Sequence, residues 1–260
     1  MKVLLLGATG NLGIRLIPAL LLHNHSVVAF VRSSSKLSSL LPPTLLSQIV
    51  VVEGDAKSSG SIKKAILDNN CDAVVNTAGL AALMPWQKSE LPRIFEAVVQ
   101  ATKVSGMERN KALRVWFLGG MGLLDMPGTR SIVGDYLPIY REHLPNLALL
   151  NSISTETIRW SILCPSVMTP RSSTVELPMQ APTGNLIVSA TVPPHWKNVW
   201  VRKIPLLGPF IVLGLNAGQY TTKLEDNAEL IASDLEKGGD EWVGKKVGVW
   251  DASQEKHAKK

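Results

Sequence analysis

The chain has 260 residues, 45% of them hydrophobic, and a formal charge of +6. That size and apolar content suit one large α/β domain with a true core and exclude a disordered or fibrous chain. The basic residues are scattered and do not alternate with aromatics, which argues against nucleic-acid binding and fits an anionic small ligand; the lysine-rich end, residues 256–260, reads as a solvated tail.

In chain order, residues 3–6 are a short apolar run that predicts a buried parallel strand. It ends at Gly7, and Gly10 and Gly13 follow at GxxGxxG spacing. A helical pattern starts at once with Leu12, Leu16 and Leu20. Strand, glycine turn and helix make a place for a pyrophosphate, with Thr9, Asn11 and Leu12 completing the candidate set. Gly7 allows the tight turn, Gly10 lets the backbone approach the phosphates, and Gly13 lets helix and strand pack closely. Pro18 inside the helix predicts a kink or a lost hydrogen bond. Asn24 suits the left-handed residue that ends it. Further strands are expected at 26–32, 49–52, 72–76, 113–118 and 158–163. Helices are expected at 61–68, at 86–104 with Pro92 in the opening turn, and at 136–150.

This βαβ alternation with continuous apolar strands predicts an α/β, doubly wound parallel-sheet Rossmann fold. Residues 1–165 read as the dinucleotide-binding core. Residues 166–222, rich in Pro, Ser, Thr and Trp, read as a small irregular substrate lobe. Residues 223–260 bring back a helix at 224–235, a strand at 246–250 and the basic tail. The stretch 204–215 is strongly apolar but broken by Pro205, Gly208, Pro209 and Gly214, and is shorter than the roughly 20 residues of a membrane span; a buried lobe is expected in preference to a membrane contact. The start is too short in apolar length for a secretory signal. Cys71 and Cys164 sit beside strands at a spacing that matches no metal motif, so buried thiols, a reducing cytoplasmic setting and no metal are expected.

Three strand ends carry the cofactor reading. The second ends in Val31-Arg32-Ser33-Ser34-Ser35-Lys36. An NAD site places an acid there for the ribose 2′-hydroxyl; Arg32, Ser35 and Lys36 suit a 2′-phosphate instead, so NADP (as NADPH) is expected over NAD. A basic solvated loop is the other reading. Asp55 follows the third strand and either contacts the adenine or caps a turn. Asn76, Ala78 and Gly79 follow the fourth, where small residues let a ribose lie against backbone; Gly79 as a plain turn glycine is the alternative.

GATGNLG, VRSSSK, the Gly54-Asp55 pair and Asn76-Thr77-Ala78-Gly79 together resemble the atypical short-chain dehydrogenase/reductase superfamily. More narrowly, the chain resembles the NmrA-like and biliverdin/flavin-reductase-like NAD(P)H-binding proteins. The resemblance continues through Glu142-His143 and residues 158–165, and returns at 221–228. It is weak over 166–220. It implies a Rossmann fold that binds NADPH.

Such enzymes typically use a Tyr-x-x-x-Lys pair, and this chain has none. Tyr136 is followed four residues on by Tyr140, Tyr140 by Leu144, and Tyr220 meets Lys223 at the wrong spacing. Where a Ser or Thr usually follows the fifth strand stands Gly119-Gly120-Met121-Gly122. Gly119 is a candidate cofactor contact, and N–H groups of this run could polarise a substrate oxygen. The resemblance places His143 at the active-site histidine of the flavin-reductase group. Tyr140, three residues earlier, is expected on the same helical face, with Tyr136 a turn before it. Glu142 is expected in solvent and Asp125 capping a turn at Pro127-Gly128. Trp160 reads as core. Trp196, Trp200, His195, Met168, Met179 and Met84 form either an apolar wall for an aromatic substrate or simple packing, with an oligomer contact also open. The expected function is an NADPH-dependent reductase of a hydrophobic carbonyl, quinone or conjugated ring. A non-catalytic NmrA-like regulator and a non-redox isomerase, cyclase or dehydratase stay open beside it.

Overall fold

The computed structural model describes residues 1–137, 139–175, 182–197, 200, 204, 207–216, 218–238 and 240–257. Strand β1 (Lys2–Leu6) is buried on both faces, as its unbroken apolar run requires. Helix α1 (Asn11–Leu22) follows the glycine turn, and Asn24 ends it in a left-handed conformation (φ 56°). Then come β2 (Ser26–Val31), the short α2 (Ser34–Leu40) and α3 (Pro43–Leu46), β3 (Val50–Glu53), α4 (Ser59–Asp68) and β4 (Ala73–Asn76). Next are α5 (Leu91–Glu108), β5 (Leu113–Leu118), α6 (His143–Asn151), β6 (Ile158–Cys164), β7 (Val167–Thr169) and β8 (Leu186–Ala190). The chain continues with α7 (Gly208–Asn216), β9 (Thr221–Lys223), α8 (Leu224–Lys237), β10 (Lys245–Asp251) and α9 (Ser253–His257).

Eight strands form one sheet in the order β3-β2-β1-β4-β5-β6-β10-β8. All neighbours are parallel except β8, which runs antiparallel to β10. The order reverses at β1, where the chain crosses from β3 to β4, and a crevice opens there at the carboxyl ends of the strands. Alternation along β1 divides the core: Val3 and Leu5 pack toward α1 and α8, while Leu4 and Leu6 pack toward α4 and α5. A buried ion pair pins α8 to the sheet. Arg114 donates to Asp234 Oδ2 (2.8 Å) and Ser161 Oγ (2.8 Å), and Trp116 Nε1 donates to the same Asp234 oxygen (2.9 Å).

The structure departs from the sequence expectations where distant contacts decide. Pro18 lies inside α1, where it costs one backbone hydrogen bond as expected, and the burial of Leu12 to Leu20 keeps the helix continuous through it. Helix α5 starts at Leu91, later than expected, with Pro92 in its first turn. Residues 166–222 are not wholly irregular: they supply β7, α7, β9 and the sheet's edge strand β8. Trp160 lies in the core. Cys71 and Cys164 are buried free thiols, and burial pushes both up to about 12. Among the described residues no helix is long and apolar enough to cross a membrane.

Candidate functional site

The ends of β1, β4, β5 and β6 meet at the crevice. Gly7 has φ +82°, and a Cβ there would come within 2.6 Å of Ala78 N, so this turn and the loop after β4 touch. A Cβ on Gly13 would sit 2.1 Å from Gly7 O, which shows how closely α1 approaches the end of β1. Gly10 is the extended N-cap of α1, with no side chain capping it, and its N–H donates to Gly7 O (2.8 Å). The first N–H groups of α1 are therefore left for an anion. Asn11 is exposed; Leu12 is core, so that position can offer a ligand only its backbone. Beside the turn lies a groove of about 460 Å³, bordered by Thr9, Gly10, Asn11, Ser39 and Ser173.

At the end of β2, Ser33 caps α2: its Oγ accepts from Lys36 N (3.2 Å) and bonds the Ser35 hydroxyl (2.8 Å). Arg32 and Lys36 are exposed and make no ion pair among the described residues. Glu53, in register with Val31, accepts from Ser34 N (2.6 Å). Hydrogen bonding from Ser34 holds the Glu53 carboxyl below its usual range. The sequence reading assigned Glu53 no role; the signal was its place at the end of β3, across from Val31. Asp55 acts as a turn residue, with Oδ1 accepting from Lys57 N (3.0 Å). After β4, Asn76 is buried and its Oδ1 accepts from Ala78 N (3.1 Å), while Thr77 Oγ1 donates to Leu6 O (2.9 Å). Gly79 packs against Leu91.

Next to Ala78, Gly79 and Gly119 opens a cavity of about 550 Å³, walled mainly by apolar side chains such as Met121, Leu137 and Met168. His143 borders it. A Cβ on Gly120 would lie 3.5 Å from His143 Cδ2, an ordinary van der Waals contact, so the imidazole lies directly beside this strand end. Among the described residues His143 Nδ1 is buried without a hydrogen-bond partner. Burial pushes the imidazole down to about 4, against a small opposing pull from Glu142, so the ring is neutral near pH 7. The N–H groups of Gly119 and Met121 are committed to Leu163 O (2.7 Å) and Pro165 O (2.8 Å); the Gly120 N–H has no partner among the described residues.

Tyr140 and His143 both border the cavity, but not from one helical face. Helix α6 begins only at His143; Tyr140 precedes it in a loop with φ 54°, its N–H donating to Leu83 O (3.1 Å). Tyr136 ends a short 3₁₀ turn, donates to Ser131 Oγ (3.3 Å) and meets Phe210 edge-on. Glu142 is not simply solvated. It accepts from Ala82 N (2.7 Å), Ser89 N (2.8 Å) and Ser89 Oγ (2.7 Å), clamping the loop after β4. Burial opposes its charge, but these bonds outweigh that and leave its carboxyl below the usual range. Asp125 pairs with Lys246 instead of capping a turn. The Tyr220 phenol is raised by burial and donates to Pro194 O (2.8 Å), so it is already committed. Of the described residues that read as either an apolar wall or simple packing, only Met168 borders the cavity. His195 stacks on Trp250 (4.1 Å), Trp196 packs near Tyr220, Trp200 is exposed, and Met84 lies away from it. Met179 is outside the described residues.

A family model described as NAD(P)H-binding matches residues 7–189. The chain belongs to this NAD(P)H-binding family. The match runs from Gly7 through the last residues of β8, so it spans every strand end of the crevice. Among curated proteins no sequence matches significantly. Solved structures share the fold at low identity. The anaerobillin reductase ChuY of Escherichia coli O157:H7 is 17% identical with a TM-score of 0.60, covering 95% of this chain and 97% of that one. A short-chain dehydrogenase/reductase of Veillonella parvula DSM 2008 in complex with NADP is 12% identical, with a TM-score of 0.61 and coverage of 97% and 95%. A proposed NADH-flavin reductase of Streptococcus pneumoniae TIGR4 is 17% identical, with a TM-score of 0.59 and coverage of 96% and 99%.

Proposed function

We propose that this family member is an NADPH-dependent reductase of the atypical short-chain type, acting on a hydrophobic carbonyl, quinone or conjugated ring. One observation carries the reading: a neutral imidazole at His143, its Nδ1 without a hydrogen-bond partner among the described residues, borders an apolar cavity that begins at Ala78, the residue Gly7 touches. The names of two fold relatives, a flavin reductase and an anaerobillin reductase, point the same way.

The residues fit a dinucleotide. Gly7 and Gly13 let the turn, the loop after β4 and α1 close together, Gly10 leaves the start of α1 open to a pyrophosphate, and the first N–H groups of α1 receive it with Thr9 alongside. Arg32 and Lys36, lacking ion-pair partners among the described residues, suit a 2′-phosphate; Ser35 sits between them, and Glu53 holds their loop through Ser34. Asp55 orders the turn on the adenine side. Asn76, Ala78, Gly79 and Gly119 border the ribose and nicotinamide end. The bound nicotinamide supplies hydride. The protein holds the substrate ring in the apolar cavity and excludes water from its faces. His143 is too weak a base to carry a proton at neutral pH, so it orients the substrate oxygen by hydrogen bonding, together with the Gly120 N–H, which has no partner among the described residues. The proton then comes from water at the mouth beside Tyr140.

Titration with NADPH and NADH tests the cofactor assignment. NADPH is expected to bind about 10- to 100-fold tighter, and an Arg32→Ala/Lys36→Ala variant to lose that preference. NADPH oxidation with quinones, flavins and aryl ketones tests the reaction. Tight NADPH binding with no turnover across the panel would remove the reductase reading and favour an NADP-binding regulator.

A further inference from the structure

Two carboxylates at the start of α8 hold a surface segment beside the glycine turn. Residues 170–175 follow β7, and Glu225 and Asp226 reach them from the first turn of α8. Glu225 Oε2 accepts from Arg171 N (3.0 Å). Asp226 pairs with the Arg171 guanidinium and also accepts from Thr183 N (3.1 Å) and Thr183 Oγ1 (3.0 Å). Arg15 of α1 completes the joint. Its Nε donates to Glu225 Oε1 (2.7 Å), one terminal nitrogen to Asn11 O (2.9 Å) and the other to Ser172 O (2.7 Å). Arg15, Glu225 and Asp226 are all buried.

Burying charge is costly unless it is paired and hydrogen-bonded. Here the buried charges join α1 and α8 to a strap whose tip lies on the surface. Arg171 and Ser172 are held by the bonds above, and Val175 packs on the core beside α1. Between these anchors Ser173 and Thr174 are exposed. They border the groove of about 460 Å³ that Thr9, Gly10 and Asn11 border from the other side. The Ser172 hydroxyl bonds Thr174 Oγ1 (3.2 Å) and accepts from Thr174 N (3.2 Å). The Ser173 N–H and hydroxyl have no partner among the described residues.

We infer that this strap is the outer wall of the pyrophosphate site. Ser173 donates to the pyrophosphate from the side opposite the first N–H groups of α1. Arg15 and Glu225 are positioning residues: they touch no cofactor and fix the distance between the strap and the start of α1. The glycine turn and the strap both fall within the residues that match the NAD(P)H-binding family. The inference rests on the dinucleotide site and not on the reductase reading.

The test is fluorescence titration of the full chain with NADPH and NADH at low salt. Ser173→Asp puts a negative charge on the exposed tip and leaves the buried pair intact. It should raise both Kd values by the same factor, about tenfold or more, because both cofactors carry the pyrophosphate. Ser154→Asp is the control. It adds the same charge at an exposed site just before β6, at the opposite end of the parallel strands, and should change neither Kd. Arg15→Met/Glu225→Leu removes both buried charges and the bond to Ser172 O. Its Tm should stay near the wild-type value while both Kd values rise about fivefold or more. Amide exchange over residues 170–175 should slow when NADPH is added. A wild type that binds neither cofactor removes the dinucleotide assignment and this inference with it. With wild-type binding intact, an unchanged Kd in Ser173→Asp overturns the inference and leaves that assignment standing, as does an equal loss in Ser154→Asp. A loss confined to NADPH also overturns it, because the strap would then face the 2′-phosphate.

Discussion

Gly13→Ala tests the link between the glycine turn and the cofactor most directly. The new Cβ would lie 2.1 Å from Gly7 O, where ordinary contact begins at 3.4 Å, so the turn and the start of α1 must separate by about 1.3 Å (3.4 − 2.1). The obstacle is backbone on both sides and cannot rotate away. Nor can α1 retreat, since Leu12 through Leu20 are packed against the sheet and α8. Overpacking of this kind costs about 1–3 kcal/mol, partly offset by about 0.5–1 kcal/mol from replacing a helical glycine. The net change is a fall in Tm of a few degrees. Cofactor affinity is the sharper measure. Moving the first α1 N–H groups by an ångström forfeits one charge-assisted bond of about 1.5–3 kcal/mol, a rise in NADPH Kd of roughly 10- to 100-fold. Fluorescence titration reads the Kd and thermal unfolding reads the Tm. Gly214→Ala is the control: its Cβ meets nothing within 4 Å, so Kd should not move. A Gly13→Ala variant with wild-type Kd and Tm would refute the close-approach reasoning.

Three further outcomes follow from the side-chain network. Glu142→Ala removes three hydrogen bonds that hold the loop after β4; KM should rise several-fold with a smaller change in kcat, and stability should fall by about 1–3 kcal/mol, measured by steady-state kinetics and urea unfolding. His143 has a depressed pKa in the folded protein, so the unfolded chain takes up its proton first. Stability should therefore fall as pH drops from 6.5 toward about 4, and His143→Gln should flatten that slope in thermal unfolding across the same window. The same variant should lower kcat by about tenfold or more through lost orientation of the substrate oxygen. Arg114→Met leaves Asp234 buried with Trp116 Nε1 and without its cation; a loss of about 3–5 kcal/mol is expected in denaturant unfolding, with Arg114→Met/Asp234→Leu recovering most of it.

The parts of the site that depend on local pattern were readable from residues alone. Glycine spacing at 7, 10 and 13, the apolar runs of the strands and the basic end of β2 are set by neighbours a few positions apart, and so are turn, pleat and cap. That was enough for a doubly wound sheet and for the tight glycine turn between β1 and α1. Element starts were less legible. Residues 137–142 carry a helical pattern, yet Tyr140 is held in a loop by Leu83 O, and α6 waits until His143. Residues 166–222 looked irregular because β8 meets its partner β10 only across a long stretch of chain.

Chemistry at the substrate end belongs to the tertiary structure. The sequence names His143 but not its charge: burial makes the ring neutral near pH 7. Glu142 becomes a clamp because Ala82 and Ser89 reach it from another loop. Glu53 reaches Ser34 because β3 lies beside β2 in register. Of the two readings of the lobe aromatics, packing holds for His195 and Trp196, which meet Trp250 and Tyr220. Local spacing determines which backbone shapes a chain can take, and so the sequence by itself specified a dinucleotide turn. Burial, register and long-range partners determine what each side chain can do there, and these exist only once the chain is folded.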